Sequence, residues 1–386
     1  MDTSSPPSDN VFPDPSSQSA PPVQLYSIPF QFKGETGEYF KIWIVNLFLS
    51  VITLGIYIPW AKVRSRRYFH ASTFLDGHAF DYLAKPLNLL VGYLVLLFFV
   101  GLYNLAIFFN PLFLIPIAVL YLAGFPWLIY KAFRFKARNT AYRNIRFKYL
   151  GRLSESYMLF LVWPILVPFT LGLIIPYWAM LKKIYFFDNL SFGKSNFSLK
   201  PKAGEYYKWY IIFWAAAMGL YLFFILAFVG GSMGFAALFG GFSGDPTATD
   251  GGGNPFENPP SEALVIILGI LFYAFFIVAA VIWQQGLWLC IFNYNMSVWK
   301  LRGLKFKSTM RLLPFCQIMV TNVLLSILSL GFLIPWAKIR ATRYMMENLS
   351  VIASSTTLGE FTDEVTDEES AIGDAAVDYF DFEVGW

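Results

Sequence analysis

Long apolar stretches alternate along this chain with short cation-rich ones. Residues 87–109, 112–132, 209–229 and 263–292 contain no Lys, Arg, Asp or Glu until their ends. Each is long enough to cross a bilayer as a helix, which takes about 20 residues. The first two are joined by Asn110-Pro111, and the second two by a glycine-rich loop carrying Asp245, Asp250, Glu257 and Glu262. Three further apolar stretches, 40–59, 158–176 and 315–335, are interrupted.

The three interrupted stretches are copies of one another. Thr53-Leu54-Gly55-Ile56-Tyr57-Ile58-Pro59-Trp60 matches Thr170-Leu171-Gly172-Leu173-Ile174-Ile175-Pro176-Tyr177 and Ser329-Leu330-Gly331-Phe332-Leu333-Ile334-Pro335-Trp336. Each runs without a gap to a matching tyrosine, Tyr68, Tyr185 or Tyr344. Phe30, Phe147 and Phe306 align upstream, as do Asn46 and Asn322. About twelve apolar residues precede each break, and twelve helical residues rise only about 18 Å, short of a hydrocarbon core of about 30 Å. Gly55, Gly172 and Gly331 end a helix; Pro59, Pro176 and Pro335 favour a fresh start. The spacing predicts three helix–break–helix units that enter the membrane and return on the same side. A kinked but continuous spanning helix is the alternative.

Charge decides between the two. If all seven segments spanned, the loop with Lys182, Lys183, Lys194, Lys200 and Lys202 would lie opposite the one with Arg64, Arg66 and Arg67, and the acidic loop would face the cytoplasm. That violates the positive-inside rule. With three re-entrant units, every Lys and Arg falls on the cytoplasmic side, together with both termini. After each break comes an aromatic and basic segment: Trp60, Lys62, Arg64, Arg66 and Arg67; Trp178, Lys182 and Lys183; Trp336, Lys338, Arg340 and Arg343. These are candidate contacts for anionic lipid headgroups; plain topology anchoring is the alternative.

Short alternating stretches at residues 28–32, 79–82, 145–149, 196–199 and 304–307 suggest β-strands beside the hairpins. The expected fold is therefore an α-helical polytopic membrane protein, with four spanning helices, three repeated re-entrant or interfacial units and small cytoplasmic β-elements. Its divisions are a Pro/Ser-rich tail over 1–25, expected to be disordered, and a first re-entrant repeat over 26–85. Two repeats of spanning hairpin, basic linker and re-entrant unit follow at 86–207 and 208–350, then an acidic tail over 351–386. Residues 351–386 hold ten Asp or Glu and no Lys or Arg, with interleaved apolar positions that suggest docking on the basic cytoplasmic helices.

Composition agrees with a lipid solvent. Of 386 residues 56% are hydrophobic and 14% charged, against roughly 25% charged in soluble domains. The first residues have no basic and apolar leader, which argues against a cleaved signal peptide. Cys290 and Cys316 form no metal or disulfide pattern, His70 and His78 lack a third ligand, and no nucleotide, zinc or hydrolase signature occurs. The expectation is a protein that is not an enzyme and needs no cofactor or metal. It would bind or move a lipid or other amphipathic ligand at the cytoplasmic leaflet of a bacterial inner membrane. Partners are membrane lipids, with a membrane-protein partner or a second copy of the chain also open and nucleic acid excluded. Alternatives are a channel or transporter, or a scaffold or regulator of another membrane protein; the spans hold no ionisable residue for coupling.

Phe30-Gln-Phe-Lys-Gly34, the run from Leu54 to Arg64, the run from Phe133 to Arg143, the run from Trp299 to Phe306 and the Phe380-Asp-Phe-Glu383 ending resemble the YjgN family of bacterial inner-membrane proteins. The resemblance covers residues 30–386. It implies a multi-pass inner-membrane protein and carries over no activity and no site residues, because none is established for that family.

Overall fold

A computed structural model describes residues 25–240 and 262–354. The expected N-terminal tail, glycine-rich loop and acidic tail lie almost wholly outside the described residues. Among the described residues, four helices are long and apolar enough to cross a membrane: Pro86–Phe109, Leu114–Arg138, Ala203–Leu226 and Tyr273–Val298.

The expectation of an α-helical polytopic protein with only small β-elements is corrected by the strands. They are β1 (Leu25–Phe32), β2 (Thr73–Leu75), β3 (His78–Tyr82), β4 (Thr140–Tyr142), β5 (Ile145–Tyr149), β6 (Leu190–Phe192), β7 (Ser195–Leu199), β8 (Trp299–Leu301), β9 (Leu304–Ser308) and β10 (Leu349–Ser354). Rather than capping a helical domain as small separate elements, these ten strands close into one antiparallel barrel, β1-β10-β9-β8-β7-β6-β5-β4-β3-β2. The ladders are short; β4 meets β5 only through Ala141 with Arg146 and Tyr142 with Ile145. A net hydrogen bond is worth about 1 kcal/mol, so register is fixed mainly by which face is apolar.

Neighbouring strands are joined in two ways, one at each end of the barrel. At one end lie two-residue turns. Asp76 and Gly77 (φ +48° and +75°), Arg143 and Asn144 (+51° and +66°), and Arg302 and Gly303 (+33° and +85°) are left-handed pairs, while Gly193 (+56°) begins the turn between β6 and β7. Left-handed pairs match the twist of a tight hairpin. At the other end the chain leaves as a helical hairpin and returns, five times. The hairpins are α1 (Thr36–Ile52) with α2 (Ile58–Ala71), α3 (Pro86–Phe109) with α4 (Leu114–Arg138), and α5 (Leu153–Tyr157) through a π-turn to α6 (Trp163–Phe169) with α7 (Ile175–Phe187). α8 (Ala203–Gly240) with α9 (Glu262–Val298), and α10 (Leu312–Leu328) with α11 (Ile334–Glu347), complete the set. Each hairpin packs on the next, and α1 meets α11 to close the ring. In the third hairpin Pro164 and Pro168 withhold N–H donors within the first arm. Trp178 Nε1 donates to the Leu159 carbonyl there at 2.8 Å.

The three short hairpins turn on the same backbone. Leu54, Leu171 and Leu330 each have φ +50°, followed by Gly55, Gly172 and Gly331 at +92°, +81° and +91°. The glycine N–H donates back to the carbonyl of Ser50, Val167 or Ser326 at 2.7, 2.9 and 2.8 Å, the longer bond of a Schellman ending. In two of them the residue opening the break also braces the turn: Thr53 Oγ1 accepts from the Tyr57 N–H and Ser329 Oγ from the Leu333 N–H, each at 3.0 Å. The tip leucines Leu54, Leu171 and Leu330 are 90–93% exposed.

The aligned tyrosines fasten each hairpin where it leaves the barrel. Tyr68 Oη accepts from the Glu35 N–H at 2.8 Å and lies 3.0 Å from the Glu35 carbonyl. Tyr344 Oη accepts from the Arg311 N–H at 3.1 Å and reaches its carbonyl at 3.3 Å. Tyr185 donates to the Arg152 carbonyl at 3.3 Å. Tyr294, in the same place on a long hairpin, accepts from the Lys202 N–H at 2.6 Å. The second hairpin has Phe135 there instead, 1% exposed. Asn46 and Asn322 tie the two arms of their hairpins, donating to the carbonyls of Ala61 and Ala337 at 3.4 and 3.0 Å.

Candidate functional site

Two cavities flank the junction of barrel and helices. The larger, about 420 Å³, lies on the helix side and is lined by α7, α8 and α9. α7 contributes Lys182, Lys183, Phe186 and Phe187; α9 contributes Trp283, Gln284, Trp288 and Asn295 among others, and α8 contributes Tyr206 and Tyr210. Among the described residues the lining contains no Asp or Glu. Both lysines are half-buried. Burial lowers the pKa of each ammonium group, and the charge of Lys183 lowers that of Lys182 further. Lys182 Nζ sits 3.8 Å from the centre of the Trp178 ring and Lys183 Nζ 5.9 Å from that of Phe187, cation–π distances. Tyr206 donates to Asn295 Oδ1 at 2.9 Å, fixing α8 to α9 at the cavity floor. Two partly desolvated cations among aromatic rings, with amides nearby and no carboxylate, suit an anionic group attached to an apolar body.

The other candidate contacts are dispersed around the ring. Arg66 Nη1 donates to Tyr82 Oη at 2.9 Å, and Arg67 Nε lies 3.5 Å from the Tyr82 carbonyl. Arg340 Nη1 donates to Thr321 Oγ1 at 2.6 Å and lies over the Trp336 ring at 5.1 Å. Arg343 Nη2 donates to the Gly34 carbonyl at 2.9 Å, linking the last hairpin to the first. These four arginines spend donors on the protein's own frame. Lys62, Arg64 and Lys338 are exposed, and Lys62 borders only a 20 Å³ crevice. Trp60 stacks on Tyr57 at 6.1 Å. Of the twelve residues, only Lys182 and Lys183 line the large cavity. The sequence offered no sign that Tyr206 and Asn295 join them, or that Gln284, a polar group in an apolar helix, does.

The second cavity, about 240 Å³, is the barrel lumen, lined almost wholly by apolar side chains. Phe30, Phe80, Phe147, Phe197 and Phe306 occupy equivalent places on β1, β3, β5, β7 and β9, so the three aligned phenylalanines are part of a collar of five. Trp299 stands between Phe197 and Phe306, at 4.7 and 4.4 Å. Its Nε1 is buried without a hydrogen-bond partner. Phe187 of the lower cavity touches Trp299 at 5.1 Å, so these two rings separate the chambers. Tyr142 Oη donates to the Leu75 carbonyl at 2.8 Å, and burial raises its pKa to about 12.

A family described as bacterial protein of unknown function (DUF898) matches residues 27–379. The chain belongs to this family. It is 29% identical over 151 residues to the inner membrane protein YjgN of Escherichia coli K12, covering 39% of this chain and 38% of that one. It is also 29% identical over 146 residues to the protein of the same name from Salmonella typhimurium, covering 37% of each. The matched region thus spans under two fifths of the length of these relatives. No solved structure matches. With four membrane-capable helices, this family member is a multi-pass inner-membrane protein.

Proposed function

We propose that the chain binds an anionic lipid at the cytoplasmic leaflet, without chemical change, holding the headgroup at Lys182 and Lys183 and the acyl portion against the aromatic flank of α9. The observation that carries this reading is the pairing of two half-buried ammonium groups in one cavity without a lining carboxylate. An anion there would relieve the unfavourable burial of both charges. In the same reading the barrel and the cationic hairpin bases lie in the cytoplasm. The three short hairpins end within the bilayer: the 17 residues of α1 or α10 rise about 25 Å, less than the hydrocarbon thickness of about 30 Å. Tip leucines that are nine-tenths exposed fit lipid, not water.

The test is lipid binding by native mass spectrometry, with the protein exchanged between phosphatidylglycerol and phosphatidylethanolamine micelles. Each cation near a lipid phosphate is worth about 1 kcal/mol. Lys182→Gln with Lys183→Gln is therefore expected to reduce the preference for the anionic lipid about thirtyfold. Arg64→Gln with Lys338→Gln, both exposed and outside the cavity, should change it severalfold less. Equal binding of the two lipids by the unaltered protein would overturn the proposal.

A further inference from the structure

The barrel lumen has two properties that together specify an occupant. It is apolar and aromatic, and its volume of about 240 Å³ is below the 300–1,000 Å³ usual for small-molecule sites. Such a space suits one or two aromatic side chains. A whole lipid would not fit.

The mouth of the lumen is basic. Of the two-residue turns that form it, three carry a cation, Arg143, Lys194 and Arg302, and one an acid, Asp76. Three of the outward positions next to these turns are cationic, Arg146, Lys300 and Lys305, all exposed. β10 runs toward this end: Leu349 pairs with Ser308 near the helices and Ile352 with Lys305 near the turn. The chain beyond Ser354 therefore leaves the barrel beside the mouth. That segment, residues 355–386, contains ten Asp or Glu and no Lys or Arg, and its last part interleaves acids with rings: Asp378, Tyr379, Phe380, Asp381, Phe382, Glu383 and Trp386.

We infer that the acidic, aromatic C-terminal segment, residues 374–386, docks in the mouth of its own barrel. Its rings enter the phenylalanine collar and its carboxylates face the basic turns. The occupant differs from the lipid of the lower cavity, and Phe187 of the one chamber touches Trp299 of the other. The inference does not depend on what the lower cavity binds.

The experiment uses the full chain in nanodiscs and a fluorescein-labelled peptide of residues 374–386, followed by anisotropy. A tethered segment acts at an effective concentration in the millimolar range, so the unaltered chain should exclude the peptide. The full-length variant Tyr379→Ser, Phe380→Ser, Phe382→Ser frees the lumen and should bind the peptide at least tenfold more tightly than the unaltered chain does. A peptide with the same three replacements should lose at least tenfold on that variant. Adding Leu304→Trp to the variant, which fills the lumen, should abolish binding. Should that protein fold poorly, Arg143→Glu in the exposed turn is the second probe and should weaken binding severalfold at low salt. Equal peptide binding by the unaltered and triple-serine chains overturns the inference. So does a serine-substituted peptide that binds as well as the natural one, which would reduce the contact to surface charge. Lipid found in the lumen of the triple-serine chain with no peptide binding would overturn it as well.

Discussion

Removing the hydroxyl of Tyr344 tests how the helical hairpins are held to the barrel. Tyr344→Phe keeps the ring beside Phe315, 6.1 Å away, and deletes contacts to both the N–H and the carbonyl of Arg311. Arg311 is the residue before α10, where the first turn of N–H groups has no helical partner. Two hydrogen bonds at about 1 kcal/mol each give an upper figure of about 2 kcal/mol. Water reaches this exposed end and replaces part of the loss, so about 1 kcal/mol is expected. Tyr68→Phe should cost a similar amount and Tyr294→Phe somewhat less, since one contact is lost. The sites stand on different hairpins, so their effects should add. A Tyr68→Phe, Tyr294→Phe, Tyr344→Phe protein should lose about 3 kcal/mol, or roughly 6–12 °C of Tm on the scale of a domain of 150–250 residues. Thermal unfolding in nanodiscs by intrinsic fluorescence is the assay. A triple variant within 1 °C of the parent would refute the reasoning, and Phe135, already without a hydroxyl, marks a hairpin that holds without this clasp.

Alanine at the hairpin breaks should destabilise, because a Cβ in the left-handed region costs roughly 1–2 kcal/mol. Gly55→Ala should be worst, its Cβ meeting Tyr93 Oη at 2.9 Å, with Gly172→Ala milder; the order of Tm values checks this. Burial, and then the charges of Lys136 and Arg66, hold the His70 imidazole below its ordinary 6.5 against opposing contributions from the Arg66 carbonyl and Asp81. The unfolded chain thus takes up this proton first, so stability should be unaffected above about pH 7 and fall as pH drops through 6.5 toward the folded value. A His70→Gln protein should show a flatter Tm profile between pH 7 and 5, and an unchanged slope would count against the burial argument. Trp299→Phe removes a buried unpaired donor and should leave Tm within about 2 °C in the same unfolding assay.

Much of the helical layer was legible in the sequence because each element announces itself over twenty residues. The uninterrupted stretches gave four membrane-capable helices, and the spacing from Leu54 to Pro59 corresponds to the gap between α1 and α2. The barrel was not legible because eight of its ten strands have only three or five residues, which carry little periodicity, and many partners lie far away. Tyr82 pairs with Thr140 across an entire helical hairpin. A signal was nevertheless present. Phe80 and Phe197 stand two residues beyond their β3 and β7 starts, as Phe147 and Phe306 do beyond those of β5 and β9, so the phenylalanine spacing repeats beyond the three short units. For the site, basic residues could be found from sequence but not sorted. Whether a cation lines a cavity, as Lys182 does, or grips a neighbouring carbonyl, as Arg343 does, depends on partners such as Gly34, over three hundred positions away.

Five is an odd number, and that has a geometric consequence. Short and long hairpins follow one another in turn, yet a closed circle of five cannot alternate throughout. The mismatch falls where the first hairpin meets the last, with Trp43 against Phe332 and α1 against α11. There two short arms stand side by side, leaving a notch in the palisade of tall helices that is twice as broad as the one left by α5–α7.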